Sequence, residues 1–118
     1  MEATPLWIAS RDNQLNVCEL LIVTGADVNL TSNGTTALWI ASRHGYYKIC
    51  ELLIANGADV NKAHSINLAS PLWVASRNNH VDVCILLIVN GADVNQVEKY
   101  GATPLFTATN EDHLDVCA

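Results

Sequence analysis

Residues 5–11, Pro5-Leu6-Trp7-Ile8-Ala9-Ser10-Arg11, return as Ala37-Leu38-Trp39-Ile40-Ala41-Ser42-Arg43 and again as Pro71-Leu72-Trp73-Val74-Ala75-Ser76-Arg77. A weaker copy is Pro104-Leu105-Phe106-Thr107-Ala108-Thr109-Asn110. The aromatic positions 7, 39, 73 and 106 are 32, 34 and 33 residues apart, and the cysteines at 18, 50, 84 and 117 repeat those spacings. Gly-Ala-Asp-Val-Asn occurs at 25–29, 57–61 and 91–95. Three independent markers share one period, which is the signature of an array of similar stacked units.

The period is uneven in an informative way. Leu6 to Gly25, Leu38 to Gly57 and Leu72 to Gly91 are each 19 residues, whereas Gly to the next Leu is 13, 15 and then 14. Packed helices do not absorb an inserted residue and loops do, so a rigid helical part alternates with a tolerant loop. Thr4, Thr36, Ser70 and Thr103 are N-cap residues, followed at three of the four sites by Pro5, Pro71 and Pro104 at the first helical position. The first helix stops at Asn13, Gly45, Asn79 and Asp112, residue types that tolerate a left-handed backbone. A second helix begins near Leu15, Tyr47, Val81 and Leu114 and buries a face that includes Val17, Cys18, Leu21 and Ile22. Gly25, Gly57 and Gly91 close it. Turns are signalled by Asn33-Gly34 and Tyr100-Gly101. The middle loop, 62–69, has no glycine, and Asn67 is the expected substitute.

Thr-Pro-Leu-aromatic-x-Ala followed by Leu-Leu-Ile-x-x-Gly-Ala-Asp-Val-Asn resembles the ankyrin repeat over essentially the whole chain. The resemblance implies an all-α solenoid of stacked helix–turn–helix units with β-hairpin-like finger loops. It reads as a single domain over 1–118, with repeats at about 1–30, 31–62 and 63–96 and a partial one at 97–118. The family usually has His where this chain has Trp7, Trp39, Trp73 and Phe106, so the imidazole contact to the threonine is not carried over. Residues 1–3 leave no room for a first finger, Cys117-Ala118 falls inside a second helix, and neither end looks like a polar cap. The expectation is a fragment of a longer array, or a chain that covers its ends by end-to-end self-association.

Composition narrows the function. Twelve carboxylates face six Lys and Arg, a net charge of −6, which disfavours a nucleic-acid binder. No run approaches the ~18 apolar residues of a membrane span, and Met1-Glu2-Ala3-Thr4-Pro5 has no basic leader. The four cysteines occupy one slot of successive repeats. Helices about 8–10 Å apart place them too far apart for disulfides, which favours buried thiols over a metal site and an intracellular compartment. His80 and His113 share a structural slot. No phosphate loop, catalytic triad or cofactor fingerprint is present, so no enzyme activity and no cofactor is expected. Asn29, Asn61 and Asn95 are expected to tie loop backbone together as buried side chains, and the family resemblance makes them possible hydroxylation targets.

The informative row is Trp7, Trp39 and Trp73, each followed four residues later by Arg11, Arg43 and Arg77 on the same helical face. Arg over indole stabilises by about 0.5–1 kcal/mol at an exposed site, and Arg also suits a helix C-terminus. The resemblance places this row and the residues after it, Asp12, His44, Asn78 and Glu111, on the concave face that meets partners. The expectation is therefore a protein-interaction module that binds a protein or an acidic peptide through that stripe. Finger-tip residues Asn33, His64, Ile66, Lys99 and Tyr100 form a second surface. The alternative is a structural spacer within a longer solenoid, with no partner of its own.

Overall fold

The computed structural model describes residues 3–110. Among the described residues seven helices run in order: α1 (Pro5–Arg11), α2 (Leu15–Val23), α3 (Ala37–His44), α4 (Tyr47–Ala55), α5 (Pro71–Arg77), α6 (Val81–Val89) and α7 (Pro104–Asn110). Within a repeat α1 packs on α2, α3 on α4 and α5 on α6. Between repeats α1, α3, α5 and α7 stack as one row, and α2, α4 and α6 as another.

Each first helix starts where its cap hydroxyl dictates. Thr4, Thr36, Ser70 and Thr103 accept from the backbone N–H of Trp7, Trp39, Trp73 and Phe106 at 3.2, 3.1, 3.0 and 3.2 Å. This satisfies a donor that the first helical turn leaves without an internal partner. Asn13, Gly45 and Asn79 turn the chain with φ of 57°, 74° and 59°. Asp112, Leu114, His113, Glu111 and Cys117 lie outside the described residues. Gly45 has a second reason to be glycine: a Cβ there would meet the His80 ring, 2.5 Å from Nδ1. That ring is pinned across the repeat boundary, His80 Nε2 lying 2.9 Å from the Arg43 carbonyl.

The core runs through Leu6, Leu38 and Leu72 of the first helices and Ile49, Leu53, Val83 and Leu87 of the second. Cys18, Cys50 and Cys84 are buried free thiols. Each sits beside a serine of the preceding helix: Ser10 at 3.6 Å, Ser42 at 3.8 Å and Ser76 at 3.5 Å. Burial pushes all three thiols up, Cys50 to about 12, so they stay protonated and unreactive.

Three expectations are corrected. Val17, expected on the buried face of α2, is 41% exposed. In the middle loop the left-handed residue is Leu68, at φ 59°, not Asn67. The Asn67 side chain instead accepts from Ala69 N–H at 2.9 Å, and this Asx turn holds Leu68 between them. The motif asparagines Asn29 and Asn95 are exposed, not buried. Asn29 and Asn61 reach across the repeat boundary. Asn29 donates to the Gly57 carbonyl at 3.0 Å and accepts from Asp59 N–H at 2.7 Å. Asn61 does the same with Gly91 and Asp93, at 3.2 and 2.8 Å. They clamp repeat to repeat.

The finger loops close on short backbone pairings. Ser32 and Thr35 exchange both bonds around Asn33-Gly34, at 2.8 and 3.1 Å. The second finger closes through His64 N–H to Ala69 O at 2.9 Å, and the third through Glu98 N–H to Ala102 O at 3.0 Å.

Candidate partner-binding site

Clefts lie between the row of first helices and the fingers beside it, and two of them bear on the site. The first, of about 320 Å³, lies between α1 and α3 and is lined by Trp7, Arg11, Asn33, Thr35, Trp39, Ile40, Arg43, His44 and His64. The second, of about 390 Å³, lies between α5 and α7 and is lined by Asn67, Trp73, Arg77, Glu98, Tyr100, Ala102, Phe106 and Thr107.

The indoles are wall, not lure, in the first cleft. Trp7 and Trp39 are each only 7% exposed. Their N–H groups are used up by the next finger: Trp7 Nε1 donates to Thr35 Oγ1 at 2.9 Å and Trp39 Nε1 to the Ala69 carbonyl at 2.9 Å. The missing histidine contact is thus replaced by a bond between repeats. Trp73 differs. Its indole N–H is buried and has no hydrogen-bond partner among the described residues. The finger residue in the corresponding slot is Ala102, which has no hydroxyl; its carbonyl accepts from Glu98 N–H, whereas the Ala69 carbonyl accepts from both His64 N–H and the Trp39 indole.

The arginines divide as well. Arg11 and Arg77 lie over their own indoles, at 5.5 and 5.9 Å from the ring centroids. Arg11 is also paired with Asp12, Nε to Oδ1 at 2.9 Å and Nη2 to Oδ2 at 3.2 Å. The hydrogen bond from Arg11 holds the Asp12 carboxyl below its ordinary range. Arg43 is exposed and makes neither an ion pair nor a stacking contact among the described residues. Beside it His44 stacks on Tyr46, ring centroids 5.3 Å apart. Partial burial, then Arg43 and His80, push the His44 imidazole down.

The remaining sequence candidates scatter. His64 packs edge-on to Trp39 at 5.3 Å and its Nδ1 accepts from Ile66 N–H at 3.1 Å, so it both lines the first cleft and shapes its own finger. Asn78 donates to the Arg43 carbonyl at 3.1 Å and is spent on the repeat junction. Ile66 and Lys99 are exposed and line neither cleft. Lys99 lies 5.7 Å from the Tyr100 ring centroid, and Tyr100 borders the second cleft.

Sequence reasoning placed Thr35 at a finger tip but missed its bond to an indole, and it missed Ala69 and Ala102, which share with Thr35 the slot just before each N-cap. It also missed Glu98, a buried carboxylate whose Oε1 accepts from Tyr100 and Ala102 N–H at 2.8 and 3.0 Å. Nothing in the local sequence separates Glu98 from the exposed acidic residues. Among the described residues no His, Cys, Asp or Glu side chains gather as metal ligands would. No helix among them is long and apolar enough to cross a membrane.

No curated protein matches the chain. The family model described as ankyrin repeats (3 copies) matches residues 1–64 and 63–118, together the whole length. With the stacked helix pairs, capped first helices and projecting fingers, that match means the chain belongs to the ankyrin-repeat family.

Proposed function

We propose that residues 1–118 form one interaction array that binds an acidic segment of a partner protein in the cleft between α1 and α3. Family membership supports protein–protein interaction in general. The observation that carries the finer reading is the lining of that cleft. Arg11, Arg43, His44 and His64 border it, and none of its lining residues is a carboxylate, on a chain of net charge −6. Two arginines on the rim of an acidic body attract anionic groups and repel the protein's own surface type. Arg43 supplies the interaction, since its guanidinium is exposed and has no competing carboxylate, whereas Arg11 is half neutralised by Asp12. The walls of Trp7 and Trp39 lower the local dielectric and strengthen the pairing.

The test is binding of a fluorescein-labelled decapeptide of alternating Glu and Ser, followed by anisotropy at low salt. Arg43→Ala should weaken binding at least fivefold, and raising the salt should weaken wild-type binding in parallel. Glu51→Ala, on α4 in the other helix row, should leave it unchanged. Weakening by Glu51→Ala or Glu19→Ala and not by Arg43→Ala would overturn the reading.

A further inference from the structure

The cleft between α5 and α7 has a different chemistry from its counterpart. Three indoles occupy one slot, and two of them donate to the finger ahead. The third, Trp73, buries the same N–H with nothing to receive it. A buried donor without an acceptor is unfavourable, and native proteins keep few of them. Trp73 itself lines a cleft. The cleft also holds Glu98, 8% exposed, whose carboxylate already caps its own turn. Beside buried Glu98 a second carboxylate would be repelled, and Arg77 in the same cleft is engaged over the Trp73 ring, so we take the missing acceptor to be a neutral oxygen. Phe106 and Tyr100, 61% and 85% exposed, supply apolar surface beside it.

We infer that this cleft is a second anchor for the bound segment, taking a main-chain carbonyl next to an apolar side chain, with the carbonyl accepting from Trp73 Nε1. The inference rests on the partner-binding reading above but uses a different cleft and different chemistry. The N–H itself is shut off from solvent, so the carbonyl reaches it as the finger carrying Glu98 and Ala102 moves aside. That finger is tied to its neighbour by one backbone bond, Lys99 N–H to Asn67 O at 2.8 Å. The apolar side chain lies against Phe106, and Arg77 stays over the outer face of the Trp73 ring.

The chain has three tryptophans, so its indole N–H signals in a ¹⁵N–¹H spectrum are three, assignable by Trp→Phe variants. The probe is N-acetylphenylalaninamide, a neutral molecule with main-chain carbonyls and an aromatic side chain. Titration should move the Trp73 indole signal downfield in a saturable way and leave those of Trp7 and Trp39 in place. Ala102→Thr introduces the hydroxyl that Thr35 provides to Trp7, and should weaken the response at least fivefold. Ala102→Ser makes the same test with less bulk. Arg43→Ala should leave the response unchanged, so failure of the acidic-peptide reading would be seen separately. A silent Trp73 signal, parallel movement of all three signals, an undiminished response in both Ala102 variants, or loss of the response in Arg43→Ala would each overturn the inference.

Discussion

The two clefts are built from the same repeated slots and come out chemically opposite. Between α1 and α3 the indoles are bonded to the fingers and the rim is cationic. Between α5 and α7 the indole N–H is unpartnered, a carboxylate is buried in the wall, and the rim is aromatic. Most of that contrast follows from which residue stands just before the N-cap and what its carbonyl is doing. The Trp7 indole meets the Thr35 hydroxyl and the Trp39 indole the Ala69 carbonyl, which also accepts from His64 N–H, whereas the Ala102 carbonyl receives only its own finger's Glu98 N–H among the described residues. A repeat protein thus varies its binding surface at loop positions while the helices stay nearly identical, because loops tolerate change that packed helices do not.

The comparison breaks most readily at the indoles themselves. Trp39→Phe removes a satisfied buried hydrogen bond, whereas Trp73→Phe removes an unsatisfied donor, with similar loss of ring surface in both. Trp39→Phe should therefore be the more destabilising by about 1–3 kcal/mol in urea unfolding. Equal costs would mean that the Trp73 N–H finds a partner in solution and that the clefts do not differ. Exchange of the finger residue sharpens the same point. Thr35→Ala strands the Trp7 N–H and should cost about 1–2 kcal/mol, while Ala102→Thr should stabilise by about 1 kcal/mol or less, both read as shifts of the denaturation midpoint at constant slope. A destabilising Ala102→Thr would indicate that the hydroxyl does not reach the indole.

The parts legible in sequence are those that a single residue decides locally. N-caps at Thr4, Thr36, Ser70 and Thr103, left-handed turns at Asn13, Gly45 and Asn79, and helix starts at Leu15, Tyr47 and Val81 all depend on side chains within a few residues. The Trp–Arg row was legible as a face but not as a mixture of buried wall and charged rim. Whether an indole is covered depends on how closely a finger from the next repeat approaches, about 30 residues further on. The loops differ in length, so the acceptor changes from the Thr35 hydroxyl to the Ala69 carbonyl to none. Likewise Asn29 looked like a tie within its own loop, yet its partners Gly57 and Asp59 belong to the following repeat. Asn67 and Leu68 compete for one turn, and the Asx hydrogen bond to Ala69 gives the left-handed position to the bulkier residue.

The smallest effect measures the charge of the first cleft directly. His44 is held below its ordinary imidazole value by partial burial, by Arg43 and by His80. A depressed folded value means that the unfolded chain takes up the proton first as pH falls below about 6.5. The associated stability is present above that point and declines as pH drops towards the folded value. The change in unfolding midpoint between pH 7.5 and 5.0 should therefore be slightly smaller in His44→Gln than in wild type, since carboxylate titrations are common to both. Arg43→Ala should raise the His44 titration midpoint in an NMR series, and the Glu-Ser peptide should raise it further in the wild type by placing carboxylates beside the ring. A midpoint that ignores both Arg43→Ala and the peptide would mean that burial alone sets it, and the contrast between a cationic cleft and a neutral one would then rest on the lining residues without a field to match.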